Sequence, residues 1–260
     1  MTETKLAPYQ PSRSLPAKLN RRLTQWRAAD RLANNPGRPV VSFTFDDFPK
    51  SAADTGAEII EQCGGRATYY ACTGMAGTRT VCGDMFDERN IIELVKAGHE
   101  IGAHTATHLD CAQERIPRIL NDIAHNLTQL STMGVPGAVR QFAYPYGETS
   151  LPLKRSLRER FTAARGVLSG INGKGSDRMQ LRAVEMTPDP ESLKAVLNAI
   201  DVAAQQGLWL VVFTHDVSLR PSPFGVRPRH LARAARAARD AGAELLTMSE
   251  AQKMCEAREP

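Results

Sequence analysis

The sequence predicts an α/β protein built on a parallel sheet. Residues 40–45 and 208–213 are short runs of apolar, β-branched and aromatic residues, which is the composition of buried strands. Longer helical segments lie between the strand-like runs, and two of them stop at Gly98 and Gly134. Strands that alternate with helices favour a parallel sheet with right-handed crossovers. The 260 residues suffice for one sizeable domain of this kind.

The individual elements follow from the same signals in chain order. Strands are predicted at residues 40–45, 67–71, 100–103, 141–143, 162–167, 208–213 and 244–247. Helices are predicted at residues 51–63, 87–97, 115–133, 151–159, 191–206 and 229–241. Residues 1–38 are polar and rich in proline, and we expect an N-terminal arm with one short helix over residues 17–34. Residues 39–260 are expected to form a single domain.

Composition narrows the class of protein. Apolar residues make up 42% and charged residues 23% of the chain, which excludes a disordered or fibrous protein. No apolar run approaches the ~20 residues that span a bilayer, and the N-terminus lacks the apolar core of a signal peptide. Five cysteines without a CxxC pair favour reduced thiols. We therefore expect a cytoplasmic protein without a membrane span.

The net charge of +5 is concentrated in two basic stretches, residues 13–38 and 227–239. Solvated helical faces account for such stretches, and contact with nucleic acid, membrane headgroups or an acidic polymer is the alternative. No nucleic-acid-binding motif accompanies the charge, so no nucleic-acid partner is expected.

Two histidines four residues apart, His104 and His108, suggest a metal site. On a helical turn their Cβ atoms would lie about 5–6 Å apart, close enough for both rings to share one ion. A zincin protease is disfavoured, because Thr105 stands where that motif needs glutamate. A chance pair is the alternative.

Asp46 and Asp47 follow the first predicted strand. One carboxylate can complete a His-His-Asp metal triad while the other serves as a base, or the pair can cap the following helix. His215 follows the apolar strand 208–213, where it is well placed to be a general acid, although a structural role would explain a lone histidine equally well. The remaining histidines are expected to be structural; they are His99, His125 and His230.

Pro145 and Gly147 force a tight turn after another strand end. Such a turn can direct backbone N–H groups, including that of Tyr146, towards a developing oxyanion, or it can be an ordinary loop.

Together, four segments resemble the polysaccharide deacetylase family, which is the NodB homology domain or carbohydrate esterase family 4. The segments read TFDD at 44–47, HTATH at 104–108, AYPYG at 143–147 and VFTH at 212–215, and the resemblance covers roughly residues 40–247. It implies a distorted (β/α) barrel of about seven strands. It also implies that a divalent metal, usually Zn²⁺ in this family with Co²⁺ or Ni²⁺ as alternatives, binds Asp47, His104 and His108. Asp46 would be the catalytic base, Tyr146 would supply an oxyanion N–H, and His215 would protonate the leaving amine.

The chain departs from the family pattern at three places. Phe48 replaces the usual glycine of the first motif, Ala143 replaces the arginine that orients the catalytic aspartate, and the usual DxxDW motif is not recognisable. We expect Arg182 or Arg140 to replace the missing arginine, with Arg182 on the substrate side of the site beside Pro145 and Tyr146. The FAYPYG sequence resembles the branch that acts on exopolysaccharides.

The predicted function is removal of acetate from an N-acetylated sugar or polysaccharide. Two alternatives stay open. One is a related metal-dependent amidohydrolase that acts on a non-carbohydrate amide or cyclic ureide, and the other is a catalytically weak binding homologue that has kept the metal site. An acyl-enzyme route through serine or cysteine is disfavoured, because no GxSxG motif is present.

Overall fold

The computed structural model describes residues 24, 25 and 27–256 of the chain. The strands are β1 Val40–Asp46, β2 Thr68–Ala71, β3 Arg79–Thr80, β4 Gly83–Asp84, β5 Glu100–Ala103, β6 Gln141–Ala143, β7 Ala163–Arg165, β8 Val184–Glu185, β9 Trp209–Thr214 and β10 Glu244–Leu245. The helices are α1 Ala57–Gln62, α2 Glu88–Lys96, α3 Ile116–Thr132, α4 Leu151–Leu157, α5 Pro190–Gln206, α6 Pro228–Asp240 and α7 Met248–Glu256. A π-helical turn, Ala52–Gly56, leads into α1.

The main sheet has the strand order β7-β6-β5-β2-β1-β9-β8, and all of these pairs are parallel. β10 pairs with the start of β1, through Val40 and Glu244, while β2 pairs with its end. A further parallel bridge joins Arg165 of the edge strand β7 to Leu181, just before β8. The sheet therefore curves into the distorted (β/α) barrel of seven strands that the sequence predicted.

The parallel arrangement brings the carboxyl ends of the strands to one edge of the sheet. β1 ends at Asp46, β5 ends just before His104, β6 ends just before Tyr144, and β9 ends just before His215. Arg165 and Glu185 are the last residues of β7 and β8. Residues far apart in the sequence consequently converge on one face.

Aromatic packing beneath this face explains one departure from the family pattern. Phe48 is fully buried, stacks on Phe86 with ring centroids 4.3 Å apart and contacts Tyr69 edge-on at 5.2 Å. Tyr69 in turn stacks on Phe45 at 4.9 Å. The phenylalanine that stands in place of glycine is therefore a core residue that fixes the loop after Asp47.

Several elements were missed or misplaced by the sequence patterns. The β3–β4 hairpin, β8 and α7 were not predicted, because two-residue strands carry no periodicity. Most of the predicted helix at 17–34 lies outside the described residues, but residues 27–34 contain only bends and a bridge at Arg31, so that helix does not extend to Asn34. Within the described residues, no helix is long and apolar enough to cross a bilayer.

The described part of the N-terminal arm is attached to the barrel. The ammonium group of Lys154 is fully buried and donates to the carbonyl oxygens of Thr24 and Arg27, at 2.5 and 3.0 Å, and to Asp177 at 2.7 Å. Leu32 exchanges backbone hydrogen bonds with Gly175 and Ser176. Because a buried ammonium must be fully hydrogen-bonded to be tolerated, these contacts hold the arm in place.

Candidate active site

A cavity of ≈430 Å³ opens at the carboxyl ends of the strands. Five of the residues predicted to carry the chemistry line it, and they are Asp46, Asp47, His104, His108 and His215. Tyr146 lines it as well, whereas Pro145 is buried and is not one of the lining residues. We refer to this space as the catalytic cavity.

Asp47, His104 and His108 form a compact group of donor atoms. A carboxylate oxygen of Asp47 lies 3.3 Å from Nε2 of His108, and the other lies 3.7 Å from Nε2 of His104. One ligand atom from each residue falls within 4.8 Å of the other two. One oxygen and two imidazole nitrogens at this spacing are a donor set that suits a catalytic divalent metal with open positions for water.

The loop that carries the two histidines is not the helical turn that we expected. Residues 104–108 are irregular, and Thr105 and His108 have left-handed backbone angles, with φ of 62° and 55°. The carboxylate of Asp122 holds the loop by accepting hydrogen bonds from the backbone N–H groups of Ala106, at 2.7 Å, and Thr107, at 3.1 Å. Backbone curvature, rather than helical periodicity, therefore brings the two rings together.

Unusual backbone geometry is concentrated at this site. In the described part of the chain, the non-glycine residues with positive φ are Asp47, Thr105, His108 and Tyr146. Two of them belong to the donor group, one follows His104, and one lies in the turn after β6. Such angles are costly for residues with a side chain, and they tend to persist at functional sites where the surrounding structure enforces them.

The protonation of the donor group fits a metal. Burial lowers the pKa of His104 to about 3 and that of His108 to about 4, so both rings are neutral and able to ligate at pH 7. Nδ1 of His104 lies 2.8 Å from the carbonyl oxygen of Ala143, which leaves Nε2 directed to the group. Burial raises the pKa of Asp47 to about 7, and its Oδ1 has no hydrogen-bond partner among the described residues. A bound cation would stabilise the charged form of Asp47 and would give its Oδ1 a partner.

Asp46, the neighbour of Asp47, is paired with Arg165. The Arg165 guanidinium lies 2.5 Å from each carboxylate oxygen of Asp46, and it also packs over the rings of Tyr70, at 5.3 Å, and Phe213, at 4.8 Å. Burial raises the pKa of Asp46, but the positive charge and hydrogen bonds of Arg165, together with the charges of His104 and His215, outweigh burial and hold the pKa below the ordinary value. Asp46 is therefore an ionised carboxylate, separate from the donor group.

The expectation that Arg182 or Arg140 would replace the missing arginine is wrong in its geometry. Arg182 is exposed and donates to the carbonyl oxygen of Ser169 at 3.0 Å, and Arg140 donates to that of Arg160 at 3.3 Å. Arg165 has this role instead. It is the last residue of β7, and its side chain reaches Asp46 at the end of β1. A charged residue inside an otherwise apolar predicted strand was the available signal.

His215 also lines the catalytic cavity and is half-buried. Its Nδ1 lies 3.3 Å from the carbonyl oxygen of Phe224, and its backbone N–H donates to the same oxygen. Asp216 holds the loop that carries Phe224 by accepting hydrogen bonds from the backbone N–H and the hydroxyl of Ser222. Nε2 of His215 is consequently the nitrogen able to exchange a proton with a bound molecule.

The turn after β6 also lines the catalytic cavity, through Tyr146 and Gly147. Tyr146 has φ of 59°, and its ring contacts that of His108 edge-on at 4.5 Å. Gly147 follows with φ of 69°, and a Cβ atom there would lie 2.3 Å from Val167. Only glycine fits this position, so the sequence predicted the turn correctly from Pro145 and Gly147.

The structure adds lining residues that the sequence patterns did not reveal. The β3–β4 hairpin contributes Val81 and Cys82, and β8 contributes Glu185. Burial raises the pKa of Cys82 to about 12, so its thiol stays protonated and does not act as a nucleophile. Burial also raises the pKa of Glu185, and the nearby charge of His215 opposes that shift.

Comparisons with known proteins match this geometry to one family. Residues 33–160 match the polysaccharide deacetylase profile. This segment carries the signature of the polysaccharide deacetylase family. No curated protein matches the sequence.

Solved structures of polysaccharide deacetylase relatives share the fold at low sequence identity. Peptidoglycan deacetylase PdaC from Bacillus subtilis has a TM-score of 0.55 at 17% identity, over 85% of this chain and 93% of that one. A family 4 acetyl xylan esterase from Clostridium thermocellum, in complex with a cobalt ion, has a TM-score of 0.59 at 21% identity, over 83% and 91%. A CE4 family pseudoenzyme from Bacillus anthracis has a TM-score of 0.60 at 15% identity, over 85% and 68%.

Proposed function

We propose that the protein is a metal-dependent deacetylase that hydrolyses the N-acetyl group of an N-acetylated sugar or polysaccharide and releases acetate. The observation that carries this proposal is the arrangement of two adjacent carboxylates with different partners. Asp47 faces His104 and His108, whereas Asp46 is held by Arg165 in the same cavity. Such a division provides a metal site and an independent base.

The ligands of the metal would be Asp47, His104 and His108. When bound, a divalent ion such as Zn²⁺, with Co²⁺ or Ni²⁺ as alternatives, makes water more acidic and polarises an amide carbonyl. The cobalt complex of the Clostridium thermocellum relative supports a divalent ion in this fold.

Asp46 is proposed to accept a proton from the attacking water as its oxygen bonds to the acetyl carbon. Arg165 keeps the Asp46 carboxylate ionised and fixes its orientation, because the guanidinium contacts both of its oxygens. The backbone N–H of Tyr146 is proposed to stabilise the oxygen that becomes negatively charged in the tetrahedral intermediate.

His215 is proposed to donate a proton from Nε2 to the amide nitrogen while the C–N bond breaks. The Phe224 carbonyl oxygen accepts from Nδ1–H and so orients the ring for this transfer. The products are acetate and a free amino sugar.

A catalytically weak homologue is the main alternative, since one similar structure is that of a pseudoenzyme. The Asp46–Arg165 pair argues against it, because a binding protein would gain nothing from a buried, oriented carboxylate beside a metal site. The exopolysaccharide branch and a cytoplasmic location stay part of the proposal.

The proposal is tested by measuring acetate release from N-acetylated mono- and oligosaccharides, with ring opening of a cyclic ureide as the competing reaction. Zinc-loaded wild-type protein should release acetate, and the Asp46→Asn variant should not. Ureide turnover without acetate release would identify an amidohydrolase of another substrate class. Stoichiometric metal without turnover of either kind would identify a binding homologue.

A further inference from the structure

Two further spaces lie next to the catalytic cavity. A small space of ≈40 Å³, which we call the neck, shares Gly147 and Val167 with the catalytic cavity. The neck in turn shares Gln25, Leu168 and Gln180 with a larger space of ≈350 Å³, which we call the outer cavity. The three spaces are therefore neighbours, with the neck between the catalytic cavity and the outer cavity.

The outer cavity is strongly basic. Arg31, Lys174 and Arg182 line it, all three are exposed, and none forms an ion pair within the described part of the chain. Asp177 also lines the outer cavity, but its carboxylate lies 2.7 Å from the buried ammonium of Lys154, which neutralises it. The outer cavity consequently presents three positive charges without a matching negative charge of its own.

The basic groups are held on a rigid frame. Arg31 donates to the carbonyl oxygen of Gly175 at 2.7 Å, and Arg182 donates to that of Ser169 at 3.0 Å. The backbone N–H of Lys174 donates to the side chain of Asn35 at 2.7 Å. Because the arm and the 173–178 loop are joined by these bonds, the backbone that carries Arg31 and Lys174 is fixed before any ligand arrives.

The neck contains polar groups that a sugar could contact. The hydroxyl of Thr24 is buried and has no hydrogen-bond partner among the described residues, and the Gln180 side chain borders both the neck and the outer cavity. Glu148 also borders the neck, so the neck is less basic than the outer cavity.

We infer that the outer cavity is a subsite for an anionic group, a carboxylate or a phosphate, on the same molecule whose N-acetyl group enters the catalytic cavity. This inference rests on the proposed function and narrows its substrate class from N-acetylated sugars in general to acidic ones. Arg31, Lys174 and Arg182 bind the anion. The part of the substrate between the two ends lies over the neck, which at ≈40 Å³ has room for little more than one water molecule. Arg182 thus serves substrate binding without touching Asp46.

The test measures binding by calorimetry to the zinc-loaded Asp46→Asn variant, which cannot consume its ligand. Three probes distinguish a carboxylate ligand, a phosphate ligand and a neutral one. A hyaluronan tetrasaccharide alternates N-acetylglucosamine with a carboxylate sugar, UDP-N-acetylglucosamine carries a diphosphate, and the N-acetylglucosamine tetrasaccharide is neutral. We expect at least one acidic probe to bind about 3–10-fold more tightly than the neutral one at low salt, with the difference shrinking as salt is added.

Two matched triple variants locate the effect. Arg31→Gln, Lys174→Gln and Arg182→Gln together should abolish the preference for the acidic probe. Arg229→Gln, Arg233→Gln and Arg236→Gln remove the same charge from the exposed face of α6 and should preserve it. A preference that survives the first set, or that disappears with the second, would overturn the assignment.

Failure of this inference is distinguishable from failure of the proposed function. Tight, charge-dependent binding without acetate release by the wild-type protein from any probe would reject the deacetylase and retain the subsite. Acetate release with equal affinity for acidic and neutral probes would reject the subsite alone.

Discussion

The guanidinium of Arg165 lies 2.5 Å from both carboxylate oxygens of Asp46, and the side chains come from the ends of β7 and β1. Arg165 is completely buried, between the rings of Tyr70 and Phe213. The pair therefore supplies the support for Asp46 that Ala143, at the usual arginine position, cannot give. A residue from a different strand has taken over the same electrostatic task.

Replacement of Arg165 should impair the base more than substrate binding. Arg165→Gln is expected to lower kcat about 10–100-fold with a smaller effect on KM, and to move the acidic limb of the pH–rate profile to higher pH, because the pKa of Asp46 would rise. Steady-state kinetics between pH 4 and 9 measure both effects. Arg140→Gln is the control, because the Arg140 side chain is exposed and donates to the carbonyl oxygen of Arg160, away from Asp46.

Loss of the buried charge pair could also unfold the protein, so Arg165→Lys is a second variant. It keeps the positive charge but loses the planar guanidinium, whose Nη2 contacts both Asp46 oxygens while Nη1 donates to the carbonyl oxygen of Gly166. An intermediate kcat with an acidic limb close to that of the wild type is expected. Equal kcat and unshifted pH profiles in both folded variants would show that Arg165 does not position Asp46.

Metal content should depend on the donor group and not on Asp46. His104→Ala is expected to reduce bound metal from one ion per chain to almost none, whereas Asp46→Asn keeps the ion and lowers turnover by about 10² or more. Elemental analysis of dialysed protein, together with acetate release, separates these outcomes. His125→Ala, at an exposed histidine of α3, is the matched control. Full metal occupancy in His104→Ala would reject the assigned ligands.

Much of the fold was predictable, because its strands are buried apolar runs. Residues 100–103 and 141–143 were predicted with the bounds that β5 and β6 have. Asp46, Asp47 and His215 were recognisable because each lies at the end of such a strand or directly after it. The four segments then agreed in order with a known family, which gave these positions their expected roles.

The parts that escaped prediction depend on contacts between distant residues. Arg165 gave no motif of its own, because its role exists only once β7 and β1 share a barrel. The path of residues 104–108 is set by the distant Asp122 rather than by local periodicity. The β3–β4 hairpin, with Val81 and Cys82 at its tip, is too short to leave a pattern.

His99 should make the stability of the protein depend on pH. Its buried ring accepts from the backbone N–H of Ala67 at 3.0 Å and contacts Glu61 at 2.9 Å, and burial lowers its pKa below 6.5 in spite of that glutamate. A lowered folded-state pKa gives stability that is complete above about pH 6.5 and is lost as the pH falls through the folded value.

This dependence is isolated by comparing His99→Gln with the wild type in urea unfolding between pH 5 and 8. The free energy of unfolding of the wild type should exceed that of the variant by an amount that decreases below pH 6.5, by at most about 1.4 kcal/mol per pH unit. His104 and His108 contribute equally to both proteins and cancel in the difference. His125→Gln should follow the wild type at every pH, and a pH-independent difference for His99→Gln would contradict the assignment.

The central claim is that a metal held by Asp47, His104 and His108 enables Asp46 and His215 to hydrolyse an N-acetyl group. Its most direct test is a titration of metal-stripped protein with Zn²⁺, in which acetate release from an N-acetylated oligosaccharide is measured against bound zinc. The account predicts that turnover is absent without metal and rises in proportion to zinc until one ion is bound per chain. Full turnover by the rigorously metal-free protein, or none at full occupancy on any N-acetylated sugar, would contradict it.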